Sequence, residues 1–220
     1  MDEAPKAKEN LLKRLFFNKD RLGAFMDAIL AIIMTILVLE LEKPSAPTLA
    51  AFASLWRAYV AYAISFLWLG SMWTAMHIVW DRIERVSQRS VWISILLLFW
   101  ASFLPYTTSL VQSWVAYRAA QGVYGGIVLL TTLHLYWLYL SLSRDNEASY
   151  AGSYIKMAKR NLRIDLLIKT AGLIIGEIFW PQLVAISVLI AAAFMLVGRI
   201  TFRRRKAGRT CGRKSGRKAG

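Results

Sequence analysis

A carboxylate lies deep inside the first long apolar run of the sequence, Leu22 to Leu41. Asp27 is about a turn and a half into that run, where an ionised side chain in a bilayer costs about 2.5–3.5 kcal/mol. A hydrogen-bond donor must therefore compensate it. The next apolar run returns Trp73 and His77, one helical turn apart, to a similar depth. Imidazole and indole N–H groups both donate to carboxylates, and we expect His77 to be the partner of Asp27.

Two roles are open for the pair of Asp27 and His77. It could pin two helices together, which needs only a satisfied hydrogen bond between them. It could instead sense protons or gate a pathway, because a carboxylate near an imidazole titrates near neutral pH. The sequence does not decide between these roles.

The same apolar run carries a stripe of side chains on another face. Ile32, Thr35, Ile36 and Leu39 follow the i, i+3, i+4, i+7 pattern of one helix face. At 3.6 residues per turn, Asp27 points about 140° away from Ile32, so the carboxylate and the stripe need separate roles. Near the end of the run, Glu40 and Glu42 either concentrate cations or remain as solvated helix-end charges.

The elements that position these residues are predicted to be membrane helices in an all-α protein. Hydrophobic residues make up 57% of the 220 residues, charged residues only 19%, and the mean hydropathy is +0.43. That balance excludes an ordinary soluble globule. Six apolar runs are predicted to span a bilayer, namely Leu22 to Leu41, Leu55 to Trp80, Val91 to Val111, Gly122 to Leu142, Leu166 to Phe179 and Pro181 to Val197.

The last two runs are predicted to form a tight hairpin. Trp180 is expected to anchor at the interface and Pro181 to start the final helix at its tolerated first position. Gly172 and Gly176, four residues apart, indicate a close helix contact. Lys169 lies near the start of the fifth run, and we expect its side chain to snorkel to the interface. In the third run, Pro105 predicts a kink.

The distribution of basic residues predicts the topology. Most of the 28 Lys and Arg residues precede the first run, follow the second, separate the fourth from the fifth, or follow the sixth. The positive-inside rule then places both termini in the cytoplasm of a multi-pass protein of the cell (inner) membrane. We predict a cytoplasmic segment 1–19, a transmembrane domain 20–200 and a disordered basic tail 201–220 that touches anionic lipid. Nucleic acid is not an expected partner.

The first run resembles a known family signature. Arg21-Leu-Gly-Ala-Phe25-Met26-Asp27 is similar to the Arg-x-x-x-Phe-Ser-Asp motif of the transmembrane protein 175 family, the endolysosomal-type potassium channels and their prokaryotic homologues. The Trp73 and His77 pair on the second run and the stretch Phe103-Leu104-Pro105 on the third also resemble that family. One position departs from the signature, since Met26 stands where the family has Ser.

The resemblance implies a potassium-selective pore lined by the first helix of each subunit in a homotetramer of six-span subunits. It implies a hydrophobic constriction at Ile32, a hydroxyl layer at Thr35, and further narrow rings at Ile36 and Leu39. Arg21, Phe25 and Asp27 would form the signature network with the two aromatic residues of the second helix. Potassium would be the permeant ion, and we expect no cofactor and no metal site.

Two other classes of protein compete with a channel. With 2 His, 1 Cys and neither a zinc-protease nor a serine-hydrolase motif, the chain offers too few groups for an enzyme site, and we expect no enzyme. A proton-coupled cation transporter using Asp27 and His77 is the stronger alternative. Transporters of that kind usually show inverted repeats, and none is visible in this sequence.

Overall fold

The computed structural model describes residues 18–147 and 151–195. These residues fold into helices, which we number in chain order. They are α1 (Lys19–Leu39), α2 (Leu49–Ser54), α3 (Trp56–Trp80), α4 (Gln88–Ser102), α5 (Leu104–Ser113), α6 (Arg118–Asp145), α7 (Ala151–Ile178) and α8 (Leu183–Met195). The predicted basic tail, the end of the sixth run and nearly all of the predicted N-terminal segment lie outside the described residues.

Four helical stretches of the described chain are long and apolar enough to cross a membrane. They are α1, α3, the consecutive pair α4 and α5, and α6. Helix α7 has 28 residues, but its first half carries several charges, including Lys156, Arg160 and Arg163. Helix α8 is a shorter apolar helix. The first four predicted spans are therefore confirmed by length and composition, and the last two stay a prediction.

The kink predicted at Pro105 is a break between two helices. Helix α4 ends at Ser102, and α5 begins at Leu104 with Pro105 in its first turn. Because proline has no N–H, it fits the first turn of a helix, where that donor would have no partner inside the helix. The hydroxyls of Thr107 and Thr108 donate to the Leu104 carbonyl at 3.2 and 2.7 Å, which holds the start of α5.

Helix α6 lies at the centre of the packing, and α1 lies at its edge. Helix α6 contacts α4, α5 and α7, whereas α1 contacts α3, α4 and α5. Buried hydroxyl groups link three helices in the interior. Ser65 on α3 lies 2.8 Å from Thr108 on α5 and donates to Tyr124 on α6 at 3.2 Å. Only 28% of the apolar membrane-spanning segment of α1 is buried inside the subunit, against 56% of the corresponding segments of α3 and α6. Most of α1 is therefore left uncovered by its own subunit.

The predicted hairpin between the last two runs is present in the structure. The chain turns at Trp180, whose carbonyl accepts from the Leu183 amide at 3.0 Å, and α8 begins two residues after Pro181 rather than at it. A Cβ atom at Gly172 would overlap the Ser187 side chain, and one at Gly176 would lie 2.7 Å from Val184. These two glycines allow the backbones of α7 and α8 to approach closely.

The expectation that Lys169 snorkels to the interface is wrong. Its ammonium group lies 2.7 Å from Asp165 Oδ2, and both side chains are only 3% exposed. The same nitrogen donates to the Thr132 hydroxyl at 3.0 Å and lies 4.9 Å from the centre of the Trp68 ring. The inward conformation compensates the positive charge of Lys169, because Asp165 lies on the same face of α7, one turn earlier, and supplies the opposite charge directly.

Candidate functional site

Helix α1 has one buried face and one exposed face, and the two differ in composition. Asn18 caps its start by accepting from the Asp20 and Arg21 amides at 2.9 and 3.3 Å. The buried face is fully apolar and consists of Leu22, Met26, Leu30, Ile33 and Leu37. Because these residues recur every three to four positions, a single face of α1 packs on the core. The remaining surface of the helix is free to meet lipid or another chain.

The stripe predicted from the sequence lies on the exposed face of α1. The side chain of Ile32 is 56% exposed, that of Ile36 37% and that of Leu39 78%, and Thr35 is exposed as well. At 1.5 Å per residue the stripe is about 10 Å long. None of these side chains belongs to the buried face on which α1 packs. The structure therefore brings the four predicted residues together on one free surface.

The hydroxyl of Thr35 is oriented by its own helix. Thr35 Oγ1 donates to the Ile32 carbonyl at 2.8 Å. A hydroxyl has one hydrogen and two lone pairs, so spending the hydrogen on the backbone leaves the oxygen as an acceptor. The exposed Thr35 oxygen can accept a hydrogen bond or coordinate a cation, and it sits between the two isoleucines of the stripe.

Asp27 is held by the indole of Trp73. Trp73 Nε1 donates to Asp27 Oδ1 at 2.8 Å, across the contact of α1 with α3. A hydrogen bond to an ionised acceptor is about twice as strong as a neutral one. Of the predicted signature network, the structure shows one hydrogen bond between α1 and α3, from Trp73 to Asp27.

The prediction that His77 is the partner of Asp27 is wrong. Within the described chain His77 makes no hydrogen bond to Asp27. Its ring instead stacks on Trp73, with 5.4 Å between centroids, and its Nε2 lies 3.8 Å from Asp81 Oδ2. The longer indole reaches across to α1 first, while Asp81, one turn after the histidine on α3, offers a nearer carboxylate. The sequence held this signal, because His77 and Asp81 are spaced i, i+4.

A cleft of about 240 Å³ opens between the start of α1 and the end of α3. Its walls include the carboxylates of Asp20, Asp27 and Asp81 together with His77. Beside it the two helices are tied by Trp80, whose indole donates to the Lys19 carbonyl at 3.0 Å and lies so close to Gly23 that a Cβ there would be 2.6 Å away. In the part of the chain that the structure describes, no three His, Cys, Asp or Glu side chains group as metal ligands would.

The other residues of the signature occupy different environments. Met26, at the position of the family's Ser, is buried at 1% exposure and packs in the core as an apolar side chain. Phe25 is 48% exposed, next to the stripe. Arg21 is exposed, and no hydrogen bond ties its side chain to any other described residue. The departure at position 26 therefore places an apolar side chain in the core and leaves the bond from Trp73 to Asp27 in place.

The two predicted mouth residues follow the end of α1. Glu40 is the C-cap of the helix and is half-buried, whereas Glu42 is exposed. Ser113, at the end of α5, donates to Glu42 Oε1 at 3.4 Å. The loop after α1 thus holds two carboxylates just beyond Leu39, at the end of the stripe opposite Asp27.

Comparison with known proteins gives a family match over the first helices. Residues 21–105 match the family described as "Endosomal/lysosomal potassium channel TMEM175". A protein of Chryseobacterium sp. named potassium channel is 38% identical over 90 residues, which are 41% of this chain and 47% of the relative. Proteins named potassium channel from Streptomyces collinus and Chamaesiphon minutus are 29% and 31% identical, over 66% and 58% of their lengths. The chain thus spans between about half and two thirds of these relatives.

Solved structures share the fold over most of the chain. The crystal structure of a lysosomal potassium-selective channel TMEM175 homolog from Chamaesiphon minutus superposes with a TM-score of 0.71 at 24% identity. It covers 81% of this chain, and 96% of that chain is matched. The crystal structure of a variant of the potassium channel MtTMEM175 gives a TM-score of 0.57 at 17% identity, over 83% of this chain and 93% of that chain. At these identities the likeness establishes the helical fold.

Proposed function

This chain belongs to the TMEM175 family, and from that premise we propose that it is a subunit of a potassium channel. Four copies would assemble as a homotetramer in the cell (inner) membrane, with residues 20–200 forming a six-span domain in each subunit. The relatives named potassium channel support the choice of ion. Conduction would be passive, with potassium as the permeant ion, no cofactor and no enzymatic activity.

The observation that carries the proposal is the exposed stripe of α1. A monomer that leaves Ile32, Thr35, Ile36 and Leu39 uncovered while burying the opposite face of the same helix keeps this surface available for contact with other copies of α1. One helix cannot enclose a pore, so the stripe lines a conduit only if several copies of α1 surround a common axis. The bond from Trp73 to Asp27 would then fix the rotation of each α1, because it ties the helix to α3 at 2.8 Å.

The stripe has the chemistry of a hydrophobic constriction. Branched side chains of Ile32 from several subunits, closing on one axis, exclude water from the narrowest level. A cation cannot leave its hydration shell for hydrocarbon, so a dewetted ring stops conduction. Ile36 and Leu39 would form further narrow rings towards the other end of the stripe. Conduction would require these rings to widen enough to become wet.

Thr35 supplies the polar layer within this apolar surface. Its hydrogen is committed to the Ile32 carbonyl, so a ring of Thr35 oxygens would present acceptors to the ion. Such oxygens replace part of the hydration shell of potassium more easily than that of sodium, whose water is held more tightly. Outside the rings, Glu40 and Glu42 from each subunit would raise the local cation concentration at the mouth.

The topology proposed with this pore follows the charges. The Lys and Arg residues between α6 and the middle of α7, and those of the terminal segments, support a cytoplasmic location for both termini and the basic tail. The start of α1, with Asp27 and the cleft, is then the cytoplasmic end of the pore. The end of α1, with Glu40 and Glu42, faces the opposite side of the membrane.

A flux assay on purified protein in liposomes tests the proposal. We expect potassium to run down its gradient at channel-like rates, with sodium slower and no coupled ion. Proton movement in fixed stoichiometry with potassium would instead support the alternative, a proton-coupled cation transporter using Asp27 and His77. Both residues border the cleft, but Asp27 accepts a hydrogen bond from the Trp73 indole, and His77 Nε2 lies 3.8 Å from Asp81 Oδ2. Empty liposomes and the variant Ile32→Asn serve as references.

A further inference from the structure

A patch of positive charge lies where α6 ends and α7 begins. Arg144 is in the last turn of α6, and Lys156, Lys159 and Arg163 are on the first half of α7. Lys159 bridges the two helices by donating to the Ser143 hydroxyl at 3.1 Å. Within residues 18–147 and 151–195, none of these four cations forms an ion pair with a carboxylate. We refer to Arg144, Lys156, Lys159 and Arg163 as the basic patch.

The members of the basic patch are close enough to repel one another. Partial burial, followed by the positive charges of Lys156, Arg163 and Arg144, lowers the pKa of the Lys159 ammonium group. The charged groups that lower this pKa are all cations. Like charges on one surface cost free energy unless an anion joins them, so the patch is electrostatically complementary to a multiply charged anion.

An apolar track continues the basic patch along the exposed side of α7. Leu167 is four residues after Arg163, and Ile174 is seven residues after Leu167, so all three lie on one side of the helix. Leu167 is 69% exposed and Ile174 56%. From Arg163 to Ile174 the rise is about 16 Å, which is the depth of one hydrocarbon leaflet. The opposite side of α7 is buried, as Leu162 and Asp165 show.

We propose that the basic patch and the apolar track together bind an anionic phospholipid of the cytoplasmic leaflet, with a preference for a headgroup that carries two phosphates. The phosphates sit among the four cations, and an acyl chain follows Leu167 and Ile174. Four positive charges exceed what one phosphate neutralises, which gives the preference for two. This inference rests on the proposed membrane location of α7 and is independent of the ion that the protein conducts.

Topology alone does not account for this arrangement. The positive-inside rule depends on the number of Lys and Arg residues in cytoplasmic segments, and it requires neither a shared face nor a continuation in exposed apolar residues. A soluble polyphosphate would satisfy the cations but would leave the apolar track unused. A phospholipid uses both halves of the surface, which is why we assign the site to a lipid.

Binding of a fluorescent cardiolipin, which has two phosphates, to the purified full chain in uncharged detergent micelles tests the assignment. Lys156→Gln and Arg163→Gln should each weaken binding about fivefold, since a basic residue near anionic lipid contributes about 1 kcal/mol. Arg89→Gln removes an exposed arginine from the start of α4 and should leave binding nearly unchanged. An equal loss in Arg89→Gln would show diffuse attraction by net charge and would overturn the site.

Competition separates the lipid from its possible substitutes. Unlabelled cardiolipin should displace the probe better than phosphatidylglycerol, which has one phosphate. Inorganic pyrophosphate that displaces the probe as well as the lipid does would refute the lipid assignment. Because the replaced side chains are exposed, the variants should keep the wild-type elution volume. If a variant did not, added salt must still weaken wild-type binding, and salt-independent binding would contradict the proposal. None of these experiments measures potassium flux, so the lipid site and the proposed channel function can each be refuted without the other.

Discussion

Replacing Lys169 with Met removes one partner of a fully buried ion pair. The ammonium group is 2.7 Å from Asp165 Oδ2, and both side chains are 3% exposed. Breaking such a pair leaves a buried carboxylate without compensation and costs about 3–5 kcal/mol. We therefore expect Lys169→Met to lower the free energy of unfolding by that amount, measured by tryptophan fluorescence in mixed micelles with increasing sodium dodecyl sulfate.

The double variant Asp165→Leu with Lys169→Met isolates the pair. Removing both charges leaves no buried charge without a partner, and the Thr132 hydroxyl still donates to the Val128 carbonyl at 2.7 Å. The contact of the cation with the Trp68 ring is lost, at about 2 kcal/mol when desolvated. We expect the double variant to unfold within about 2 kcal/mol of the wild type. A single variant without loss, or a double variant as unstable as the single, would refute the buried pair. Arg160→Met, at an exposed site on α7, is the control.

Two further predictions concern α1. Thr35→Ala removes the hydroxyl oxygen from the stripe and should lower the preference for potassium over sodium, measured from reversal potentials. Thr35→Ser keeps a hydroxyl and should retain the preference. An unaltered permeability ratio in Thr35→Ala would show that the hydroxyl does not set the selectivity. Trp73→Phe deletes the donor to Asp27, worth about 1.5–3 kcal/mol for a charged acceptor, and should reduce the oligomer seen on sizing. His77→Phe should change assembly less, and the reverse order would restore the histidine as the partner.

The sequence predicted the two faces of α1 because periodicity needs no tertiary information. Residues on one side of a helix recur every three to four positions. Ile32, Thr35, Ile36 and Leu39 have this spacing, so they share a surface whatever packs opposite them. The break at Pro105 and the close approach at Gly172 were predictable for the same reason, since each follows from the local geometry of one residue type.

The partners of the charged groups could not be predicted in this way. Trp73 and His77 lie on one face of α3, so spacing leaves both as donors to Asp27, and only side-chain length and the nearby Asp81 separate them. The sequence allows two conformations for the side chain of Lys169, outward to the interface or inward to Asp165. The inward one depends on Thr132 and Trp68, which lie on α6 and α3.

The potassium flux of Ile32→Asn in liposomes tests the central claim most directly, because the substitution places an amide at the level of the proposed hydrophobic constriction. We predict that the variant conducts more than the wild type, since the amide wets the constriction. Val38→Asn changes another exposed residue of α1 (47% exposed) that lies off the stripe, and it should conduct as the wild type does. A folded Ile32→Asn protein with unchanged or lost flux would contradict a pore lined by this face.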